Sequence, residues 1–285
     1  MKNSVVNTDM SDYWNGDGGR NWMRFQQRLA SSLQPFGQRA MLAMNFSGGE
    51  KILDIGCGCG DTTFEIAQAV GASGYVQGID ISELILQQGR NRLKTFGLDN
   101  IRFKCVDAES NRFTVNSFDA AYSRFGVMFF NDPVVAFTNI SEVLVPNGRV
   151  SFICWQPIAA NQWVTLPLDI VNNHVTNTPV INADLPGAFS FGDKNKVVRI
   201  LQAAGFVDIS IEKFEIKFNV GNTIDEAVIF LSHLGPASSV IEDPDIDATT
   251  KNAIGNDLHN SLIRYETAEG VNLDAATWVV TASKM

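Results

Sequence analysis

Residues 54–63 read Asp-Ile-Gly-Cys-Gly-Cys-Gly-Asp-Thr-Thr. Three glycines, Gly56, Gly58 and Gly60, alternate with single residues behind an acid, Asp54. Glycine has no Cβ, so such a stretch turns sharply and lets a ligand come close to its backbone N–H groups. A second acid, Asp80, follows Gly60 by about 20 residues and ends another apolar run, where a carboxylate can accept hydrogen bonds from the ribose hydroxyls of a nucleoside. The expected chemistry is therefore capture of a nucleoside-containing ligand. A plainer reading stands beside it: a tight strand-to-helix turn, and an Asp that only starts a helix.

The elements that must position these residues alternate along the chain. An apolar run at 51–55 predicts a strand leading into the glycines, and Thr63, Ile66, Ala67 and Val70 give the next segment one helical face. A second strand at 75–80 is followed by a helix opened by Ser82 and Glu83 and ended by Gly97. A third strand at 101–108 again ends in an acid, Asp107, followed by Ala108. A fourth runs from Phe118 to its exit at Ser123, Arg124 and Phe125. Asp132-Pro133 predicts a helix start, and 149–155 a fifth strand after the Leu-Val-Pro-Asn-Gly turn. Residues 155–192 have no clear period and are interrupted by Pro157, Pro167, Pro179 and Pro186. Asp193 predicts a further helix cap. Alternation over 206–220 predicts an exposed-edge strand or a bent pair, Thr223 and Glu226 a capping box, 248–266 a second helical stretch, and 277–283 a closing strand. The economical fold is α/β, a doubly wound and mostly parallel sheet with its last strand antiparallel. Ligands bind at the carboxyl ends of the strands in such sheets.

Asp-x-Gly-x-Gly-x-Gly, complete here as Asp54, Gly56, Gly58 and Gly60, resembles motif I of the class I S-adenosylmethionine-dependent methyltransferases. The Leu-x-Pro-x-Gly turn at 144–148 is similar to that of the small-molecule branch, the quinone-biosynthesis (methyltransferase type 11) group. The specific motifs cover 51–155, and the last strands match by pattern only. The resemblance implies seven strands in the order 3-2-1-4-5-7-6 and one domain over 1–285. It implies an N-terminal helical lid at 13–44, with cap insertions at about 157–192 and 221–270. It also implies the cofactor S-adenosylmethionine, with S-adenosylhomocysteine as product. Gly56, Cys57 and Gly58 would border the methionine and ribose part, and Asp54 would orient the ammonium directly or through water. Asp80 would hold the ribose, and Ile81 would pack on the adenine. Asp107 would accept from the adenine amino group beside a backbone donor at Ala108. The Ser123 carbonyl would face the ammonium.

The composition narrows the partner. The net charge of −9 over 285 residues opposes a nucleic-acid substrate, whose affinity rests on phosphate contacts. Residues 1–12 are polar and are expected to be loose at the start, and nothing there has the length of an apolar leader. No run reaches membrane-spanning length. The four cysteines, Cys57, Cys59, Cys105 and Cys154, form no C-x-x-C pair. No metal is expected, and reduced thiols suit a cytoplasmic protein.

The expected function is methyl transfer to a small-molecule acceptor by in-line displacement. The acceptor half is less marked. Trp14, Phe129, Phe130, Trp155, Trp163 and Phe191 are candidate walls for a flat or apolar acceptor, and aromatic faces also suit a sulfonium cation. Each could equally be core. His174, His233 and His259 are the only histidines; each could be a general base for a hydroxyl acceptor, a surface or structural place is the plainer reading, and none is named as the catalytic base. Two rivals share the pattern. A nicotinamide-dependent oxidoreductase fits the acid after the second strand but not the glycine spacing. A protein that binds S-adenosylmethionine without catalysis needs nothing different. The chain gives no reading of its oligomeric state.

Overall fold

The computed structural model describes residues 7–176, 178 and 181–285. The expected loose start at 1–6, and Pro179 in the irregular stretch, lie outside the described residues. Among the described residues eight strands form one sheet. They are β1 (Lys51–Ile55), β2 (Tyr75–Asp80), β3 (Ile101–Cys105), β4 (Phe118–Arg124), β5 (Leu144–Trp155), β6 (Phe206–Gly221), β7 (Glu266–Thr267) and β8 (Gly270–Lys284). The order is β3-β2-β1-β4-β5-β8-β6, with β7 paired only to β8. The chain therefore keeps the expected order with the terminal strand between the fifth and sixth. The additional strand, β7, is a two-residue arm paired antiparallel to β8. Pairing is parallel from β3 through β5, and β8 runs antiparallel to both β5 and β6.

The helices are α1 (Thr8–Asn15), α2 (Asp17–Arg24), α3 (Gln26–Met44), α4 (Asp61–Val70), α5 (Glu83–Phe96), α6 (Pro133–Val143), α7 (Gln162–His174), α8 (Lys194–Ala203), α9 (Ile224–His233), α10 (Ser238–Ile241) and α11 (Ala248–Leu262). They cover both faces of the sheet, as two adjacent residues of β5 demonstrate. The Ser151 hydroxyl donates to the Ala40 carbonyl of α3 at 2.9 Å, while the Phe152 ring lies 5.4 Å from that of Phe137 in α6. Successive strand residues point to opposite faces, so α3 and α6 lie on opposite sides. Phe36, Tyr122, Phe137 and Phe152 are among the largest fully buried side chains.

The local signals act as their chemistry requires. Asp132 accepts from the N–H groups of Val134 and Val135, with Pro133 at the first helical position. The Thr223 hydroxyl accepts from Glu226 N–H and starts α9. Several boundaries differ from expectation. The N-terminal segment holds three helices, and the first begins at Thr8, inside the stretch up to 12 expected to be loose. Gly16 breaks α1 from α2, and a Cβ on Gly19 would meet the Trp14 carbonyl oxygen at 1.9 Å. β3 ends at Cys105, two residues before Asp107. The 155–192 stretch carries a 13-residue helix, α7, with Pro167 inside it. β6 is one 16-residue strand, not a pair, and β8 begins at Gly270. Thirteen register pairs between β6 and β8, with irregularities only near the ends at Val207/Ser210 and Asn219/Gly221, keep β6 one strand where its own alternation could not decide.

Candidate functional site

The glycine run sits where the strand order reverses, between β1 and β4, the place at which open α/β sheets bind ligands. Gly56, Gly58 and Gly60 have φ of 65°, 57° and 84°, a region that L-residues with a Cβ avoid. Gly56 touches a second glycine backbone to backbone, for a Cβ built on it would lie 2.7 Å from Gly126 Cα in the loop after β4. A Cβ on Gly58 would meet only Trp22 Nε1 at 3.8 Å and Ile85 Cγ2 at 4.0 Å. That position faces open space, with its N–H held by Asp80 Oδ2 at 2.9 Å.

Asp54 is wholly buried behind this loop. Its Oδ2 accepts from the hydroxyls of Thr62 at 2.9 Å and Thr63 at 2.6 Å. The carboxylate thereby ties the end of β1 to the first turn of α4. Oδ1 has no hydrogen-bond partner among the described residues. Burial drives the carboxyl from 3.8 up to about 6, against the two threonine bonds and Arg124. The sign of the pH effect follows. The unfolded chain loses this proton near 3.8 and the folded chain near 6, so over that window the folded state binds more protons and stability falls as pH rises. The loss is on the order of 3 kcal/mol. Asp54→Asn should therefore gain stability relative to the parent on moving from pH 4 to pH 7.5. Thermal unfolding of both proteins across that range checks it, and a difference independent of pH would contradict it.

Asp80 closes β2. Its Oδ1 accepts from Ser82 N–H at 2.9 Å, and Oδ2 from Gly58 N–H. Enclosure pushes its carboxyl up from the ordinary value, while the Ser82, Gly58 and Ile81 N–H groups pull it down. Ser82 caps α5 by accepting from Ile85 N–H and donates its hydroxyl to the Trp14 carbonyl at 2.7 Å. This bond fastens the N-terminal helices to the strand ends. Asp107 accepts from Glu109 N–H at 2.9 Å and from Asn7 N–H at 3.2 Å, and the Asn7 amide donates to the Phe129 carbonyl at 2.7 Å.

These groups open onto a cavity of about 550 Å³, within the size range of small-molecule sites. Ten of the expected residues line it: Gly56, Gly58, Asp80, Ile81, Asp107, Ala108, Trp14, Phe129, Trp155 and Trp163, with Phe130 as well. Asp54, Cys57 and Ser123 lie behind the wall. Cys57 is buried, and its N–H donates to the Ile79 carbonyl at 3.0 Å. Ser123 is buried, donates to the Ile55 carbonyl at 2.8 Å and accepts from Gly126 N–H. At that strand exit the wall is made by Arg124, Phe125 and Gly126. Phe191 is buried in the core against Phe137 and Phe152 and does not reach the cavity.

Aromatic rings carry the cavity away from the glycines. Phe125 stacks on Trp155 at 4.3 Å, Trp155 approaches Phe218 at 6.1 Å, and Phe218 approaches Phe230 at 6.1 Å. Phe230 then meets Phe25 at 5.8 Å, and Phe25 meets His233 at 5.8 Å. Phe218 and Phe230 are wall residues that sequence reasoning did not mark, and His233 is one it held only among three possible bases. Phe218 belongs to an alternating strand pattern and Phe230 to a helical face, and both patterns read as packing. Among the described residues no group of three or more His, Cys, Asp and Glu could hold a metal ion, and no helix is long and apolar enough to cross a membrane.

Comparison with known proteins agrees with this arrangement. Residues 33–166 match the profile of the ubiE/COQ5 methyltransferase family. The chain is 36% identical over 118 residues to aklanonic acid methyltransferase of Streptomyces sp. (strain C5), covering 41% of this chain and 54% of that relative. It is 30% identical over 187 residues to demethylmenaquinone methyltransferase of Staphylococcus aureus, covering 62% of this chain and 76% of the relative. Among solved structures, the YcgJ protein of Bacillus subtilis is similar with a TM-score of 0.56 at 14% identity, over 89% of this chain and 98% of that one. Phosphoethanolamine N-methyltransferase 2 of Haemonchus contortus in complex with S-adenosyl-L-methionine gives 0.52 at 18% identity, over 88% and 52%. At these identities the structures speak for the fold alone.

Proposed function

The chain belongs to the ubiE/COQ5 methyltransferase family, and on that premise we propose that its acceptor is a small, flat, hydroxyl-bearing aromatic molecule held among the cavity's rings. The protein is an S-adenosylmethionine-dependent methyltransferase. When bound, the cofactor supplies an activated methyl group on a sulfonium. The residues present suit it. Gly58 leaves open the volume a Cβ would fill, and each Asp80 oxygen, bonded to one backbone N–H, keeps capacity to accept a ribose hydroxyl. Asp80 is assigned the ribose, Ile81 the adenine face, Asp107 and Ala108 the adenine edge, and the Gly56 and Gly126 backbones the methionine side. Asp54, Cys57 and Ser123 act from behind by fixing the loops. The chain is treated as one domain, in which the helices over 8–44 act as a lid and the segments at about 157–192 and 221–270 as a cap. Their work is to orient the acceptor and exclude water, and orientation alone can lower a barrier by roughly 7–11 kcal/mol.

One observation supports the acceptor reading most directly. The cavity runs unbroken from Asp80 to Trp163, and beyond the strand-end carboxylates its wall carries the rings of Phe125, Trp155, Trp163, Phe218 and Phe230 among apolar side chains such as Leu29, Leu33 and Met128. The relatives named for demethylmenaquinone and aklanonic acid favour the same kind of acceptor. The net charge of −9 opposes DNA or RNA. The free state of all four cysteines suits a reducing, cytoplasmic setting. The test is methyl transfer from labelled S-adenosylmethionine to 1,4-naphthalenediol, simple phenols, amines, DNA and a protein mixture. Labelled diol or phenol with matching S-adenosylhomocysteine is expected; label confined to nucleic acid or protein would refute the reading.

The cofactor assignment has its own check. Asp80→Ala should weaken S-adenosylhomocysteine binding by about 1–3 kcal/mol, the cost of taking the charged acceptor from buried hydroxyls. Calorimetry should show no NAD binding to the parent. An unchanged dissociation constant in the variant would reduce Asp80 to a residue that only braces Gly58 and Ser82.

A further inference from the structure

We propose that His233 is the general base of this site, taking the proton of the acceptor's hydroxyl on Nε2. The proposal rests on the reading of the acceptor as a hydroxyl-bearing ring. Of the three histidines only His233 lines the cavity. His174 holds Asp257 through Nε2 at 2.7 Å between α7 and α11, and His259 lies 3.6 Å from Asp225; both are off the cavity wall.

His233 is the last residue of α9, and its Nδ1 lies 2.8 Å from the Ile229 carbonyl oxygen one turn earlier. A carbonyl only accepts, so the hydrogen in that bond sits on Nδ1. In the neutral ring Nε2 then carries the bare lone pair, the form a base requires. Glu242 also lines the cavity, with Oε1 4.0 Å from Nε2. An ionised carboxylate cannot donate to Nε2, so it leaves the lone pair available. Glu242 is held in turn by the Asn21 side-chain amide, which donates to Oε1 at 3.5 Å.

The other titratable groups around this wall are accounted for. Asp80 and Asp107 belong to the strand ends, and Arg124 is 3.7 Å from Asp61. Asp17 pairs with Arg20, Tyr13 is exposed, and Arg24 lies over the Phe25 ring that packs on His233. In the step itself the acceptor's O–H bond breaks, its electron pair stays on oxygen, and the proton bonds to Nε2. The ring then passes the proton to water, since the His233 side chain is 28% exposed at the mouth. An aryl hydroxyl becomes the stronger nucleophile in the same event.

Two measurements test this. Nitrogen NMR of the imidazoles, assigned with His233→Gln and recorded without acceptor, should find neutral His233 protonated on Nδ1. Protonation on Nε2 would overturn the proposal. Methyl transfer to 1,4-naphthalenediol should fall on the order of 100-fold in kcat for His233→Gln, with KM and S-adenosylhomocysteine binding little changed. The deficit should shrink as pH rises and the diol ionises unaided. An unaltered kcat with an unaltered pH profile would overturn it. If the parent binds S-adenosylhomocysteine but never methylates the diol, the acceptor reading fails and the base assignment falls with it, whereas diol methylation with neutral His233 protonated on Nε2 overturns the base assignment alone.

Discussion

Gly56→Ala is expected to abolish S-adenosylhomocysteine binding and to destabilise the fold by about 2–5 kcal/mol. Two separate costs combine. The backbone there has φ of 65°, which costs a residue with a Cβ roughly 1–2 kcal/mol. The added methyl would also lie 2.7 Å from Gly126 Cα. The obstacle is backbone, not the end of a flexible side chain, so one loop must retreat, and overpacking of this kind costs about 1–3 kcal/mol. Either loop that retreats carries cavity wall with it, because Gly56 and Gly126 both line the site. Gly97→Ala separates the two costs. That residue caps α5 with φ of 65°, and a Cβ there meets no heavy atom within 4 Å. It should lose only the conformational cost, about 1–2 kcal/mol, and keep its calorimetric binding. Equal behaviour of the two variants would show that the close approach at Gly56 does not shape the site.

The same contrast explains what the sequence made legible. The glycine loop, Asp80 and Asp107 could be placed because their work is local: a positive φ, a strand end and a helix start are each set by a few neighbouring residues. The sheet order could be placed because the motifs fix which strand leads into which loop. α7 could not, since Pro167 interrupts a mostly apolar run with no clear helical face. What holds α7 is distant packing of Trp163 and Val164 into the main core. The same core takes Phe189 and Phe191, so the proposed cap segment is anchored in the main core near both of its ends. His233 was equally hidden. A histidine at the end of a helix carries no mark of what faces it until Phe25, Glu242 and Asn21, far apart in sequence, are brought around it. Phe191 shows the reverse error: it lies in the turn before α8 and packs against Phe137 and Phe152, on the α6 side of the sheet.

Trp155→Ala is the second large expected effect, and it separates core from wall at a residue that is both. Trp155 ends β5 and is 5% exposed. Its ring stacks on Phe125 at 4.3 Å and meets Trp163 at 4.9 Å and Phe36 at 5.3 Å. Removing so large a buried ring costs about 3–5 kcal/mol. The void would open into the existing cavity and admit water, which places the loss toward the lower end of that range. A drop on the order of 10 °C in Tm is expected for a chain of this length. Trp155→Phe keeps a ring against Phe125 and should recover most of the stability. If the ring also orients the acceptor, the Phe variant should remain well folded, bind S-adenosylhomocysteine as the parent does, and still turn over 1,4-naphthalenediol more slowly through a raised KM. A Phe variant with parental stability and parental KM would assign Trp155 to the core alone. Recognition of the acceptor would then fall to Trp163, Phe218 and Phe230, the rings between it and His233.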